Sequence, residues 1–334
     1  MTSKLRRKSG LLKGGQSITG VSRTPKSLKP QQSRQLIRRF HVLQKFKSSI
    51  LTRLSRQFGQ ELTLDNYKQV LQGYKDYDQE YTVKFEQALR QLKKSDKEVY
   101  RIDELPQSKL IEVLAKIDAE VDIRGGIQAY QSASTQGQDS KRGGDSSKKL
   151  IEWLNSEKYN HNLSNINALE IGCLSSNNLI STSGIFTEIV RIDLNSQSPA
   201  ILQQNFMERP LPKNEKEKFN VISCSLVINF VPSPKERGDM LIRITKFLKK
   251  PTPGSVSAVF IVLPLPCVSN SRYFDNNLFQ KMMKNLGFEQ TFYYEAKKVA
   301  YWLFDWSGNV KIIKTSKREL HSGSTRNNFC ITIE

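Results

Sequence analysis

The sequence predicts an α/β protein whose largely parallel sheet is preceded by a helical region and a basic N-terminal arm. After residue 150, runs rich in Val, Ile, Leu or Phe alternate with helix-length segments, which is typical of a parallel sheet covered on both faces. Between residues 34 and 120, apolar residues recur instead at helical spacing. Residues 1–60 are strongly basic, which sets them apart from the rest of the chain.

The charge of the chain is concentrated at its N-terminus. Residues 1–60 hold 15 Lys and Arg and no Asp or Glu, whereas 61–334 hold 37 basic groups and all 32 acidic groups. Residues 1–33 lack periodic apolar spacing and are predicted to be a disordered basic arm. Such an arm favours a nucleic-acid partner, a nuclear import signal or both; the alternative is a solvated tail with no specific partner.

Residues 34–120 are predicted to form a helical region. An amphipathic helix with an Arg- and Lys-rich outer face starts near Ser33, and further helices are expected at 65–72, 79–94 and 108–117. Its apolar stripe consists of Leu36, Phe40, Leu43, Phe46, Ile50 and Leu54. Residues 121–149 hold much Gly, Ser and Gln and are interpreted as a linker that contributes to the functional site.

Residues 150–334 are predicted to form the sheet domain. Strands are expected at 168–173, 189–194, 219–224 and 256–263, with helices at 150–154, 235–248 and 278–286. Three further segments, 291–294, 299–304 and 329–333, are predicted to be closing strands that run antiparallel to the sheet.

Composition argues against several classes of protein. The four cysteines are widely spaced, which favours reduced thiols in a cytosolic or nuclear protein over a disulfide framework or a zinc site. The three histidines are too scattered for a metal cluster, so no metal is expected. The most apolar run, 258–268, is too short to cross a bilayer and contains two prolines. We therefore expect a soluble intracellular protein with no membrane partner.

Glu170 and Gly172 at the end of the first strand, with Asp193 at the end of the second, form the strongest candidate site. A glycine there lets the backbone approach a ligand, and an acid about 20 residues on can accept hydrogen bonds from ribose hydroxyls. No further glycine follows until Gly184, which makes a poor cradle for a dinucleotide pyrophosphate. S-adenosylmethionine (SAM) has no phosphate and is cationic, so a carboxylate suits it better. Alternatively, Gly172 merely ends a strand and Asp193 caps a helix.

Two polar–aromatic pairs are weaker candidates. Asn205 and Phe206 fall where a third strand would deliver an adenine contact for the cofactor; a turn with a buried Phe is the alternative. Asn229 and Phe230 follow the next strand, where Asn229 could hydrogen-bond a target adenine and Phe230 could stack on it. In the alternative reading, Phe230 is core and Pro232 starts a helix.

A loop rich in proline leaves the strand at 256–263. In it, Arg272 and Tyr273 could form one wall of a pocket for the substrate base. An ordinary rigid loop is the alternative.

Taken together, six segments resemble the fungal nucleolar large-subunit (25S) rRNA adenine-N1-methyltransferase family, whose animal relatives include a SAM sensor of nutrient signalling. They are GGIQAYQSASTQGQDSKRGGDSSKKLIEWL (125–154), LEIGCLSSNN (169–178), RIDLNS (191–196), QNFMERPLP (204–212), SLVINFVPSPKERGDML (225–241) and VLPLPCVSNSRY (262–273). The resemblance implies a seven-stranded Rossmann-like methyltransferase sheet with SAM bound at Gly172 and Asp193. Asn205 departs from the Asp expected at the adenine-contacting position.

The resemblance implies a SAM-dependent enzyme that methylates N1 of an adenine in large-subunit rRNA during ribosome biogenesis. Ribosomal RNA and pre-ribosomal particles would then be its partners, and the nucleus and nucleolus its location. The main alternative is a non-catalytic SAM sensor, and a third is a basic assembly factor with a vestigial fold. The 15 basic residues of the N-terminus favour the enzyme, because a sensor has no need of them.

Overall fold

The computed structural model describes residues 30–137, 144–159, 161, 163–196 and 198–334. The arm predicted for residues 1–33 therefore lies almost entirely outside the described residues. Its last four residues are helical, because the first helix begins at Pro30 rather than at Ser33. Proline is favoured in the first turn of a helix, where its missing N–H is not needed.

A seven-stranded sheet forms the centre of the C-terminal half. In chain order its strands are β1 (Asn167–Ile171), β2 (Glu188–Asp193), β3 (Leu202–Gln203), β4 (Val221–Ser225), β5 (Ala258–Pro264), β6 (Phe288–Glu295) and β7 (Val299–Trp306). Their order across the sheet is β3-β2-β1-β4-β5-β7-β6. All pairs are parallel except those of β7, which runs antiparallel to β5 and β6. The predicted fold class is thus confirmed.

Ten α-helices occur in the described part of the chain. They are α1 (Pro30–Phe58), α2 (Tyr67–Gln72), α3 (Lys75–Gln91), α4 (Leu110–Ile123), α5 (Gly126–Gly137), α6 (Ser147–Leu154), α7 (Leu179–Thr182), α8 (Pro234–Phe247), α9 (Pro266–Ser269) and α10 (Asn276–Asn285). Within the described residues, none of them is long and apolar enough to cross a membrane.

Both faces of the sheet are buried, as the alternation of strands and helices predicts. Side chains of a strand point alternately to opposite faces. On β1, Leu169 accordingly joins the core beneath α8 and α10, whereas Ala168 joins the core beneath α6. The ends of β1, β2 and β4 therefore lie side by side at one edge of a rigid, closely packed layer.

The predicted strand at 329–333 is wrong. Of this segment, only Ile333 pairs, in a single bridge to Thr315. The segment is apolar because it packs on α8. The two backbones approach so closely at Gly238 of α8 that a Cβ added there would lie 1.9 Å from the carbonyl oxygen of Thr332. Phe329 is buried against Phe274, with ring centroids 5.2 Å apart. Burial against a helix thus produced the same apolar run that a strand would show.

Helices α1 to α4 form the predicted helical region around a core of their own, which includes Leu43, Ile50 and Leu54 from the predicted stripe. Two basic residues of α1 point inward instead of outward. Arg39 donates to Glu120, with its Nε 2.6 Å from Oε1, and Lys47 Nζ lies 2.7 Å from Asp118 Oδ1. All four of these side chains are buried. The sequence pattern of α1 did not predict that these two basic side chains point inward, since they can be buried only because acidic partners on α4 pair with them.

The segment predicted to be a linker, 121–149, is largely helical. It completes α4 and forms α5, and its last residues start α6; residues 138–143 lie outside the described residues. Gly126 has a φ of +62°, which suits the tight turn between α4 and α5. Helix α5 packs against α1, where the rings of Phe40 and Tyr130 stack with centroids 4.5 Å apart. Tertiary packing has overridden a composition that is poor in helix formers.

Candidate cofactor and base site

Gly172 follows β1 directly and brings two strand ends together. Its φ is +75°, in the left-handed region that favours glycine, and a Cβ here would lie 2.5 Å from Cγ2 of Val227. The amides of Gly172 and Cys173 both donate to the carbonyl oxygen of Ile192, at 2.9 and 3.1 Å. The glycine is therefore required at this point, and the chain leaves β1 close to the end of β4.

Asp193 ends β2 next to Gly172 and is held by a small polar network. Its Oδ1 accepts from the backbone N–H of Asn195 at 2.9 Å and from Nε2 of Gln131 at 3.2 Å. Gln131 also donates to the carbonyl oxygen of Asn195 at 2.7 Å and accepts from the side-chain amide of Asn195 at 2.5 Å. Partial burial raises the pKa of Asp193, while these hydrogen bonds oppose the shift. The carboxyl group of Asp193 is thus held in one orientation and partly shielded from water, which suits it to accept a hydrogen bond from a ligand.

Glu170 is a buried carboxylate with one unused oxygen. Its Oε1 accepts from Nδ2 of Asn178 at 2.5 Å, whereas Oε2 is buried and has no hydrogen-bond partner among the described residues. Burial raises the pKa of Glu170 to about 7, against the opposing effects of the nearby Cys173 thiol, a weak donor, and of Asn178. A buried acceptor without a partner is costly, so the site is suited to a donor supplied by a ligand.

These three features fit SAM. Gly172 turns the chain at the end of β1, the carboxyl of Asp193 ends the neighbouring strand, and one buried oxygen of Glu170 has no partner among the described residues, so this edge offers acceptors to a cationic ligand that carries hydroxyl groups. As the sequence predicts, the structure brings Glu170, Gly172 and Asp193 to one edge of the sheet, at the switch between strands on either side of β1.

The turn after β4 carries Asn229 and Phe230. Leu226 begins it with a φ of +57°, which is uncommon for a residue that has a Cβ. The backbone N–H of Phe230 then donates to the carbonyl oxygen of Val227 at 2.8 Å. Asn229 Oδ1 is buried and has no hydrogen-bond partner among the described residues. Since Val227 also faces Gly172, this turn connects the end of β1 with the ring of Phe230.

The ring of Phe230 is covered by the N-terminal half of the chain. His41 of α1 stacks on it with centroids 3.7 Å apart and planes 12° from parallel. Tyr130 of α5 stands perpendicular to both rings, at 5.1 Å from His41 and 6.1 Å from Phe230. Burial, and secondarily Lys45, lower the pKa of His41 to about 3, so this imidazole is neutral.

Sequence reasoning missed Gln131, Tyr130 and His41. The first two lie in the segment interpreted as a linker that contributes to the site. The sequence therefore placed that segment near the site but did not indicate what these two residues do there. His41 had no signal of its own, because it adjoins the apolar stripe of α1 and contacts a turn that is far away along the chain. Such contacts depend on how the helical region docks on the sheet.

The structure separates Asn205 from Phe206. Asn205 follows β3 and uses its side chain locally: Oδ1 accepts from the N–H of Met207 at 3.0 Å, and Nδ2 lies 3.1 Å from Oε1 of Glu208. An adenine contact through Asn205 stays a prediction. Phe206 is only 3% exposed and packs against Phe247 at 5.2 Å between centroids. This burial favours the core role for Phe206 over the predicted contact with the cofactor.

Arg272 and Tyr273 contact the C-terminal segment. The guanidinium of Arg272 donates to Asn328 Oδ1 at 2.6 Å and to the carbonyl oxygen of Gly323 at 2.7 Å. The ammonium of Lys317 lies 4.4 Å from the ring centroid of Tyr273. These contacts give both residues a structural role, and their predicted part in the base pocket stays a prediction.

The strand order, the left-handed glycine and the acid at the end of β2 together define a Rossmann-like methyltransferase fold. Residues 115–331 match the family described as 25S rRNA (adenine(2142)-N(1))-methyltransferase, Bmt2. The chain belongs to this family.

Two relatives match at the level of whole sequences. The 25S rRNA (adenine(2142)-N(1))-methyltransferase of Saccharomyces cerevisiae is 34% identical, over 98% of this chain and 99% of the relative. The 25S rRNA adenine-N(1) methyltransferase of Schizosaccharomyces pombe is 40% identical, over 66% of this chain and 82% of the relative.

Among solved structures, the N-methyltransferase NodS from Bradyrhizobium japonicum in complex with S-adenosyl-L-homocysteine is 10% identical, with a TM-score of 0.34. The match covers 48% of this chain and 86% of NodS. A score this low adds no argument, and the fold class rests on the strand order described above.

Proposed function

We propose that this protein is a SAM-dependent methyltransferase that transfers a methyl group to N1 of an adenine in 25S ribosomal RNA. Membership of the Bmt2 family and the names of its two relatives support the reaction and the substrate. The observation that carries the proposal is the edge formed by Glu170, Gly172 and Asp193. There a left-handed glycine, a carboxylate oxygen without a partner among the described residues and a partly buried acid lie beside one another.

Each residue of this edge has a separate task in binding the cofactor. Asp193, held by Gln131, accepts from a ribose hydroxyl. Gly172 lets the chain turn at the end of β1 without a side chain that would collide with Val227, and Glu170 offers its unused oxygen to the cationic end. Bound SAM supplies a methyl group activated by its sulfonium.

The turn after β4 orients the target base. N1 lies on the Watson–Crick edge of adenine, so the base must be unpaired or flipped out of a helix. Asn229 Oδ1 accepts from the exocyclic amino group, which places N1 next to it in line with the methyl group. Phe230 stacks on the base, and its π-face stabilises the positive charge that the product carries. Alignment of the two reactants supplies most of the acceleration.

The transfer needs neither a covalent nucleophile nor a general base, because the N1 lone pair forms the new N–C bond as the C–S bond breaks, and no proton has to leave. The titratable groups near the site agree with this. Burial raises the pKa of the Cys173 thiol and raises the pKa of Cys267 to about 12, so both thiols are protonated at neutral pH. His41 is neutral, but its ring stacks on Phe230, and its low pKa makes it a weak general base.

We further assign the basic N-terminus to RNA and place the protein in the nucleus and nucleolus, on pre-ribosomal particles. Residues 1–29 contain eight Lys and Arg and no acidic residue. On α1 this charge continues in exposed Arg34, Arg38 and Arg56. Phosphate contacts of this kind give affinity without sequence specificity, and the folded site then selects the base.

The proposal is tested with the purified chain, SAM and 25S rRNA from cells that lack the protein. After digestion of the RNA, mass spectrometry should find 1-methyladenosine, and Gly172→Arg should abolish it. N6-methyladenosine in its place would assign a different atom of the base. Binding of SAM with no methylated nucleoside would instead identify a SAM sensor.

A further inference from the structure

The aromatic face that the proposed function assigns to the target adenine is not free. The imidazole of His41 lies on Phe230 at 3.7 Å between centroids, with planes 12° apart. This is the distance of two rings in contact, so no base fits between them in this arrangement. The adenine can therefore stack on this face of Phe230 only if His41 moves away from it.

The surroundings of the two rings are built from both halves of the chain. Tyr130 of α5 meets His41 and Phe230 edge-on, with planes 90° from each. The Tyr130 ring is itself held by Phe40, which stacks on it at 12° between planes. The two parallel rings, with Tyr130 perpendicular at one side, define a closed slot: a place between His41 and Phe230 that opens only when these two rings separate, and whose back is Tyr130.

Two buried polar atoms at this slot have no hydrogen-bond partner among the described residues: His41 Nε2 and Asn229 Oδ1. Asn229 directly precedes Phe230, and His41 lies on the Phe230 ring. Leaving a buried polar atom unpaired costs free energy, and native proteins rarely do so without a reason. An adenine carries an amino donor on its edge, so it offers a partner to Asn229 Oδ1, whereas His41 Nε2 lies in the plane of a ring parallel to the base and needs a partner from elsewhere in the RNA or from water.

Helix α1 presents different faces to the two halves of the protein. Leu43 and Lys47 point into the helical core, where Lys47 pairs with Asp118. His41 and Lys45, four residues apart and hence on one face, point to the sheet domain. There desolvation, and secondarily the charge of Arg237, lower the pKa of Lys45, although much of its side chain remains exposed. The side of α1 that covers the base site therefore carries no part of the helical core.

We infer that the flipped adenine enters between His41 and Phe230, so that His41 becomes the second aromatic wall of the base slot. This inference rests on the proposed function and extends it to a residue of the N-terminal helix. The separation of the two rings then roughly doubles, and α1 is the wall that moves, because the turn of Phe230 is fixed between β4 and α8. A neutral imidazole suits this place, since it does not repel the cationic product.

The test compares His41→Ala with His41→Phe in the full chain. The target adenine in an RNA fragment of 25S rRNA is replaced by 2-aminopurine, whose fluorescence reports stacking without any methyl transfer. Removal of one stacking wall should weaken kcat/KM for RNA roughly 5- to 150-fold in His41→Ala, with lower quenching of 2-aminopurine. His41→Phe keeps the wall and should restore most of both signals. SAM affinity, measured by calorimetry, should stay the same in both variants.

The exposed His161 supplies a matched control, because His161→Ala makes the same change away from the slot and should alter nothing. Faster transfer by His41→Ala would mean that His41 is a plug that competes with the base, and unchanged kcat/KM would make it a bystander; either result overturns the inference. Failure of the proposed function looks different, since the unaltered protein itself would then make no 1-methyladenosine.

Discussion

At the scale of single residues, Gly172 and Gly184 form a natural pair for an experiment. Both have a φ of +75°, but a Cβ at Gly172 meets Val227 at 2.5 Å, whereas nothing lies within 4 Å of one at Gly184. Any side chain at either position carries the strain of a left-handed backbone, about 1 kcal/mol or somewhat more. Only the side chain at Gly172 also lies at the proposed cofactor site, where it must displace Val227.

We therefore expect Gly172→Arg to abolish SAM binding and Gly184→Arg to leave it intact, with the larger decrease in thermal stability for Gly172→Arg, because only there must Val227 shift. Calorimetric titration with SAM measures the first quantity and thermal melting the second. Micromolar affinity retained in Gly172→Arg would place the ligand elsewhere on the protein.

We expect Glu170 to make SAM binding depend on pH. Its pKa in the folded protein is raised from 4.5 to about 7, so it is mostly neutral at pH 6 and mostly ionised at pH 8. Because the ionised form attracts a cation, SAM affinity should rise as the pH increases through about 7 and then level off. Glu170→Gln should remove this rise, and comparison with it at each pH cancels any ionisation of the ligand itself. A parallel pH profile in both proteins would exclude Glu170 from the site.

The same pKa has an opposite effect on the stability of the free protein. A carboxyl with a folded pKa above its unfolded value stabilises the fold at low pH, and that contribution disappears as the pH rises through about 7. Binding of a cation thus compensates for the cost of the buried carboxylate.

At the scale of elements, the burial of each strand determined whether the sequence could predict it. The strands β1, β4 and β5 are buried nearly throughout, and their apolar runs made them predictable. Strand β3 has two residues, both exposed, so it left no pattern in the sequence. The segment at 329–333 had the pattern of a strand without being one, because apolar residues are required equally by a helix face and by a sheet.

The contact between α8 and the C-terminal segment has a sharp requirement at Gly238. A Cβ there would lie 1.9 Å from the carbonyl oxygen of Thr332, which is backbone and cannot rotate away. Gly238→Ala should therefore destabilise the protein by about 1–3 kcal/mol, despite the higher helix propensity of alanine. Denaturant unfolding measures this. A more stable variant would mean that the C-terminal segment does not pack on α8 in solution.

At the scale of the whole molecule, the sequence predicted the residues that the sheet contributes to the candidate site but not those that the N-terminal helices contribute. Glu170, Gly172 and Asp193 follow from one rule about the ends of parallel strands. Gln131, Tyr130 and His41 come from helices that precede the sheet domain, and only the docking of these helices brings them to the sheet. Local patterns carry no information about that docking.

The structure also changes how the basic N-terminus is best tested. A cut after residue 60 would remove α1, including Leu43, Ile50 and Leu54 of the helical core, and with it His41. A cut after residue 29 removes eight basic residues and leaves every described helix intact. The shorter truncation is the informative one.

We expect removal of residues 1–29 to leave SAM affinity unchanged and to weaken RNA binding. Each phosphate that the truncated chain no longer contacts should lower the slope of log affinity against log salt by roughly 0.7–0.9. Filter binding of the full-length and truncated chains at several salt concentrations measures this slope. Identical slopes would show that these residues do not touch RNA.

The most direct test of the central claim counts methyl groups per protein molecule. In a reaction with excess SAM and 25S rRNA from cells that lack the protein, 1-methyladenosine and S-adenosylhomocysteine are measured together by mass spectrometry. A methyltransferase should form the two products in equal amounts and in clear excess over the protein, because each molecule turns over repeatedly. Tight binding of SAM with neither product formed would contradict the account, since the site would then bind the cofactor without using it.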